Sequence, residues 1–441
     1  MDLSETMERA LTLLKKKSIS DFEVFGIASD TIRAEAKKGE VDFLTRSSET
    51  GISLRVLTEG GMGFSYGREA DEGLIDAAVT SARYQFKDEH NLFPVPQGQY
   101  PASDAFDPVI AALDPDGCNQ RAVLLEQAAR DADPRVENIR KASFSRSCSQ
   151  VRILNSHGIS SRFDVSSVSA SLMVTVRQEG DVQSGYDFDF SHDLAAFDVE
   201  RVGRSAVEHA ARLLGARQLR TGRVPVLFDR ETTAEIMEFI ADSFLGENVI
   251  KGKSALKDKM GKTCFSDCIT ISDNPMDRRA ADACPFDGEG VPSSRTDLVK
   301  DGTVLAYLYD SYWAHRAGTV STGNSVRGGY RSWPSLGIRH LCLESSCRPV
   351  SEIMADLPVV LKVTDIMGMH TANPITGEIS VGINGILLKN GEQAFPVREA
   401  ALSGNIYEML GRVLAVGDEP RGFGHVLCPS MLVDAVDISS Q

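Results

Sequence analysis

Apolar residues recur at helical spacing in five stretches of this chain, and at a period of two through much of the remainder. Leu3, Met7, Ala10, Leu11 and Leu14 predict an amphipathic helix over residues 3–17, with only a partial start signal at Ser4. Leu74, Ile75, Ala78 and Ala82 place a second at 70–86, and a third is expected near 121–132. Val199, Val202, Ala206, Ala210 and Leu213 mark a fourth over 196–214. The fifth, 231–244, carries Ile236, Met237, Ile240, Ala241 and Phe244 as one stripe, with acids on its other faces. Between the first two helices, Phe22, Val24 and Gly26 open a period-two segment, and similar segments follow to Tyr66. Lys37-Lys38-Gly39-Glu40 and Glu59-Gly60-Gly61 read as turns between strands. Val168, Ala170, Leu172, Val174 and Val176 alternate most clearly, as a strand with one buried face should.

Residues 87–117 hold five prolines and little period, which predicts a long irregular segment. After the polar Arg220-Thr221-Gly222-Arg223, a fresh strand at 224–228 precedes the fifth helix. Short strands and glycine-rich loops then prevail, at 302–309, 337–344, 357–364, 378–388, 394–402 and 424–437. No short internal repeat is visible. Strands and helices that do not strictly alternate predict an α+β chain. Its 441 residues exceed one typical core, so two domains are expected, 1–220 and 221–441. Both would have antiparallel sheets with flanking helices, and the second would be rich in short strands.

Composition changes this picture little: 42% hydrophobic and 25% charged is ordinary for a folded soluble chain. A formal net charge of −15 repels phosphate, and no basic stripe offsets it, so no nucleic-acid partner is expected. The densest basic stretch, Lys251 to Lys262, is interleaved with Ser, Asp and Gly and reads as a solvated loop. The opening Met1-Asp2-Leu3-Ser4-Glu5 lacks a basic n-region and an apolar h-region, and no apolar run is long enough to span a membrane. A cytoplasmic protein with no membrane partner is the expectation. Cys264-x3-Cys268 and Cys342-x4-Cys347 are looser than a zinc knuckle, so the eight cysteines read as isolated thiols.

Familiar catalytic signatures are absent: there is no H-E-x-x-H, no G-x-S-x-G, no phosphate loop and no dinucleotide fingerprint. The eight histidines form no i, i+4 pair, and His209 and His315 read as packed or solvated side chains. The loop from Ala317 through Gly318, Ser321, Gly323 and Asn324 to Gly329 reads as backbone that needs positive φ.

Several stretches, in order, resemble the TldD/PmbA family of zinc peptidases, once called modulators of DNA gyrase. They are Lys251-Gly252-Lys253-Ser254, Cys284-Pro285-Phe286-Asp287-Gly288-Glu289-Gly290-Val291-Pro292, and Asp310-Ser311-Tyr312 followed by Ser321-Thr322-Gly323-Asn324. Asn373-Pro374-Ile375-Thr376-Gly377-Glu378, Phe395-Pro396-Val397 and Leu402-Ser403-Gly404-Asn405 continue the series. Val413-Leu414-Ala415-Val416-Gly417-Asp418 is similar to the PmbA (TldE) branch in particular. The first half resembles the family more loosely, through its helix–strand opening and Gly51-x-x-x-Arg55-Val56.

The catalytic branch carries H-E-x-x-x-H on the helix before the Lys-Gly-x-Ser segment, with a distal cysteine completing the zinc site. Here that motif falls on Met237-Glu238-Phe239-Ile240-Ala241-Asp242, and the distal position falls near Gly417. A thioether is a poor zinc ligand and one carboxylate does not make a site. The resemblance therefore implies a degenerate site at Met237, Glu238, Asp242 and Gly417, with no catalytic, cofactor or metal residue in this chain. Zinc is expected in a TldD-like catalytic partner. The implied substrate is an unfolded peptide, bound in a cavity that the loops bearing Asp287, Glu289, Gly290, Ser321, Gly323 and Asn324 would line. Two other readings stay open. One is a peptide-binding or regulatory protein without proteolysis. The other is an independent metallopeptidase using Glu238, Asp242 and a distant histidine. Homodimer against heterodimer is also open.

Overall fold

Six antiparallel strands form one sheet in the first half of the chain, in the order β3-β2-β1-β4-β5-β6. They are β1 (Phe22–Lys37), β2 (Glu40–Thr58), β3 (Gly61–Gly67), β4 (Val136–Asn155), β5 (Ser160–Gln178) and β6 (Asp181–Ser191). The structure is a computed structural model that describes residues 2–345 and 349–440. Helices α1 (Leu3–Lys16), α2 (Glu72–Tyr84), α3 (Pro108–Ala111), α4 (Pro115–Ala132) and α5 (Val199–Ala211) accompany this sheet. The expected irregular stretch at 87–117 thus contains α3 and the start of α4. Prolines sit in the first turn of both helices, where a missing N–H costs nothing. Val168, Ala170, Leu172, Val174 and Val176 are all buried against α4 and α5, as the alternation predicts.

Helix, three-stranded meander and helix occur twice, as α1-β1-β2-β3-α2 and α4-β4-β5-β6-α5. The two meanders meet back to back along β1 and β4. The same close packing recurs in each. A Cβ on Gly63 of β3 would lie 2.0 Å from the Ala78 carbonyl oxygen and 2.9 Å from the Ala82 Cβ. A Cβ on Gly185 of β6 would lie 2.1 Å from the Ala206 carbonyl oxygen and 2.9 Å from the Ala210 Cβ. Each helix lies on its strand at a distance only glycine permits. The hairpins share their chemistry too: Lys38-Gly39, Glu59-Gly60 and Glu179-Gly180 all have both residues at positive φ.

The second half holds two further six-stranded sheets. One contains β7 (Gly222–Phe228), β14 (Val359–Met367), β15 (Glu378–Lys389), β16 (Glu392–Asn405), β17 (Val413–Val416) and β20 (Met431–Ser440). Its strand β16 pairs back onto β20, curling the sheet into a small barrel. The other contains β8 (Ile269–Asp273), β9 (Thr296–Lys300), β10 (Thr303–Val304), β13 (Leu341–Ser345), β18 (Arg421–Phe423) and β19 (Val426–Cys428). A two-stranded ribbon, β11 (Ser325–Val326) with β12 (Ser335–Leu336), stands apart. The architecture is α+β with largely antiparallel sheets, as expected. Among the described strands, β7 with β14 and β13 with β19 pair in parallel.

Helix α6 (Arg230–Ala241) packs between these two sheets and buries Ile236, Met237, Ile240 and Ala241 in the largest core. Asp229 caps its N-terminus through the Thr232 N–H at 3.0 Å. Among the described residues no helix is long and apolar enough to cross a membrane.

Gly63→Ala is expected to destabilise the protein by about 1–3 kcal/mol, the usual cost of forcing an atom into packed backbone. Gly222→Ala, where a Cβ meets nothing within 4 Å, should be near neutral. Thermal melting of the two variants checks the difference.

Candidate functional site

Glu23 of β1 and Arg55 of β2 face each other directly across the ladder. Strand parity puts Glu23 on the same face as Phe25 and Ile27, away from α1, so this acid lies on an otherwise apolar surface. It is buried because two guanidiniums meet it: Arg55 and Arg327 both donate to its carboxylate. Arg55 also donates to Glu289 at 3.0 Å, and the other Glu289 oxygen accepts the Ser311 N–H at 3.1 Å. All four side chains are at most 5% exposed. Burial pushes the Glu23 carboxyl up, but Arg327 and Arg55 outweigh it and hold Glu23 below its usual range.

Loop 284–292 is shaped by Asp287. One of its oxygens accepts the N–H groups of Glu289 and Val291, each at 2.9 Å, and the other accepts that of Ser325 at 3.0 Å. Gly290 adopts φ +82° and presses on Ile159, while its carbonyl accepts the Tyr100 hydroxyl at 2.9 Å. Arg327 donates to the Gly288 carbonyl at 2.6 Å and stacks over Phe25 at 4.6 Å.

A cavity of about 550 Å³ opens on one side of this network. The exposed face of the first sheet forms one wall, through Phe25, Val151 and Phe163. Asp287, Arg327 and His425 contribute to the other. Arg55, Glu289, Asp310, Tyr312, Trp313 and Trp333 line a smaller cavity of about 230 Å³ on the other side. Asp287 and Glu289 therefore reach cavities, whereas Ser321, Gly323 and Asn324 line neither. Gly318, Gly323 and Gly329 have φ of +67°, +75° and +130°, as the sequence predicts. Asn324 is buried and donates to Asp273 at 2.6 Å, tying the glycine-rich loop to the end of β8.

On α6, Met237 is completely buried, while Glu238 and Asp242 are exposed. Glu231, Glu235, Glu238 and Asp242 follow one another at spacings of four, three and four, forming one acidic stripe. Burial, with Asp229 and Asp365 nearby, pushes Glu231 up to about 7. Burial, then Glu231 and Glu238, raises Glu235 to about 7. Burial also raises Glu238, opposed by His425, which lines the large cavity. Gly417 is buried, and a Cβ there would meet the Ser430 hydroxyl at 2.9 Å.

Three domain models of one family match this chain in order. They are the PmbA/TldA metallopeptidase domain 1 at residues 22–83, the central domain at 108–214 and the C-terminal domain at 221–440. The chain belongs to the PmbA/TldD metallopeptidase family. It is 28% identical to the metalloprotease PmbA of Escherichia coli O157:H7, covering 100% of this chain and 96% of that protein. A PmbA homologue from Haemophilus influenzae is also 28% identical, covering 99% and 96%. The crystal structure of TldE from Thermococcus kodakarensis shares the fold, with a TM-score of 0.90 at 23% identity over 99% of this chain and 100% of that one.

The resemblance puts the zinc motif on α6, and the residues present there do not fit a zinc ion. A thioether enclosed in the core, two exposed carboxylates and a glycine, which has no ligand side chain, offer no three-ligand set. Cys264 is a free thiol, Cys268 is disulfide-bonded against the expectation of isolated thiols, and Cys347 lies outside the described residues. His209 borders a small cavity with Glu231, and His315 meets His90 at 3.0 Å.

Sequence reading missed the buried ion network, although Arg55 was one of the residues carrying the looser resemblance. The available signal was Glu23, a charge on the same strand face as Phe25 and Ile27. Such a charge needs a buried partner. Asp310 was read there only as part of the resemblance, and its burial beside Glu289 and Asp287, which pushes it up to about 7, was missed. Burial, then Glu289, likewise raises Asp287 to about 6.

These two acids hold their protons to higher pH in the folded chain than the ordinary carboxylate value near 4. Their contribution to stability is therefore full at low pH and lost as pH rises through about 6 and 7. Asp310 caps the helix Ser311–Ala317 by accepting the Trp313 N–H at 2.8 Å, and Asn keeps that cap. Asp310→Asn should raise the melting temperature at pH 8, leave it nearly unchanged at pH 4, and flatten the fall between them. Calorimetry across that range is the check.

Proposed function

We propose that this chain is a PmbA/TldE-type, non-catalytic subunit that acts with a zinc-bearing TldD-like partner in degrading or processing unfolded peptides. The observation that carries this reading is Met237, fully buried at the first imidazole position of the family motif. Asp242 at the second position and Gly417 near the distal one support it. The relatives' names bear on the branch: full-length matches are called PmbA, and a structural neighbour is called TldE. The cavity between the first sheet and the loops around Asp287 and Arg327 is this subunit's share of the peptide enclosure. Its apolar wall and few fixed charges suit a chain of mixed sequence. The cytoplasm is the proposed location.

The test is a peptide-cleavage assay with and without a TldD-like partner. The chain alone should be inactive and the pair active. In a working peptidase, loss of the general base costs on the order of 10²–10⁴ in rate. Glu238→Gln should instead leave the pair within about twofold of the parent, because this glutamate has no metal-bound water to activate. Turnover is normalised to assembled complex by size-exclusion chromatography. A tenfold or larger loss with assembly intact would overturn the non-catalytic reading.

A further inference from the structure

Outside α6, three side chains of metal-ligating type converge beside the second sheet of the C-terminal half, whose strand β13 packs against that helix. His340 and Cys342 stand two residues apart at the start of β13, so both project to the same side of the strand. Asp277 comes from the turn after β8, the antiparallel neighbour of β13. One ring nitrogen of His340, the Cys342 sulfur and one Asp277 carboxylate oxygen all lie within 4.8 Å of one another. The His340 backbone is pinned, its N–H on Asp273 at 2.7 Å and its carbonyl on the Asn274 N–H at 2.8 Å.

The second observation is the state of the imidazole. His340 is fully buried, yet neither of its ring nitrogens has a hydrogen-bond partner among the described residues. An unsatisfied buried polar group costs about 1–3 kcal/mol, so a fixed imidazole with both nitrogens unpaired calls for a ligand. Arg279 holds the Asp277 carboxylate through both oxygens, at 2.9 and 2.6 Å, and so orients it while leaving lone pairs free. Asp277, Cys342 and Gly417 also line a cavity of about 440 Å³, together with Arg279 and Glu344.

We propose that Asp277, His340 and Cys342 form a binding site for one divalent transition-metal ion, separate from the family's motif helix and independent of the functional reading above. A thiolate, an imidazole and a carboxylate are the donors zinc prefers, at about 2.3, 2.0 and 2.1 Å. Those bond lengths separate tetrahedral ligands by about 3.5 Å, so side-chain adjustments of roughly an ångström close the site. The Cys342 thiol gives up its proton on ligation, and the thiolate and carboxylate together balance the ion's two positive charges. The fourth position opens on the cavity.

The full chain, stripped with a chelator, is titrated with Zn²⁺ against a chromophoric competitor and separately with Co²⁺. One zinc per chain, proton release, and a thiolate-to-cobalt charge-transfer band are expected. Cys342→Ser should abolish the band, and Cys342→Ser and Asp277→Asn should each weaken zinc binding at least tenfold. Glu238→Gln should change neither. Failure of the parent chain to take up zinc at micromolar concentration, or a band and affinity unchanged by Cys342→Ser, would overturn the site. Should Cys342→Ser not fold, Asp277→Asn, in a surface-reaching turn, decides by the same criterion.

Discussion

Two glutamates and two arginines buried between the first sheet and the C-terminal loops hold this molecule together as a unit. Glu23, Arg55, Glu289 and Arg327 cancel formally, but each leaves water to do so. Such a network contributes little net energy compared with an apolar seam. Its effect lies in what happens when one member is lost, since removing a partner strands a buried charge at a cost of about 3–5 kcal/mol. The arrangement therefore fixes the docking of the two halves in one geometry. Loop 284–292 takes its place because Glu289 must reach Arg55, and the ribbon β11–β12 because Arg327 must reach Glu23.

The duplicated N-terminal unit explains why a sheet face is available for that docking. Both meanders place their helices on one side, held close by Gly63 and Gly185. The opposite face of β1, β4 and β5 is left without helices. It is the surface on which Phe25, Val151 and Phe163 wall the large cavity. Additional ties hold the far end: Arg421 donates to Asp187 at 2.6 Å, and His192 bridges the carbonyls of Ser166 and Ala280. Cavity and weld are thus products of the same exposed face.

Local pattern made the helices and turns legible. Period 3.6 located α1, α2, α5 and α6 to within a few residues, and paired positive-φ turns were written in Lys38-Gly39 and Glu59-Gly60. The lengths of β1, β2, β4 and β5 were not legible, because long stretches of β2 are exposed and carry no apolar alternation. Nor was the duplication, whose shared signature is small residues at helix–strand contacts rather than a repeated motif. Asp287 and Glu289 were found through resemblance, but Glu289 depends on Arg55, 234 residues away, and Asp287 on the Ser325 N–H, 38 residues on. The trio of Asp277, His340 and Cys342 was invisible for a related reason. Its members come from the turn after β8 and from the start of β13, strands that pair although far apart in sequence, and the sequence shows only an unremarked His-x-Cys.

Helix α6 shows how a segment can be fixed by packing that asks nothing of a metal ion. A structural zinc contributes folding energy directly. Here α6 is clamped between two sheets by Ile236, Met237, Ile240 and Ala241, and the thioether of Met237 fills core volume. Stability on that side comes from apolar packing, with the Thr232 and Thr233 hydroxyls bonded to the carbonyls of Val363 and Phe228. The outer side carries the row of carboxylates Glu231, Glu235, Glu238 and Asp242. Two of them, Glu231 and Glu235, hold protons up to about 7 because burial and mutual repulsion disfavour ionisation. A stripe that is partly protonated near neutrality can both donate and accept hydrogen bonds without concentrating full negative charge along the helix.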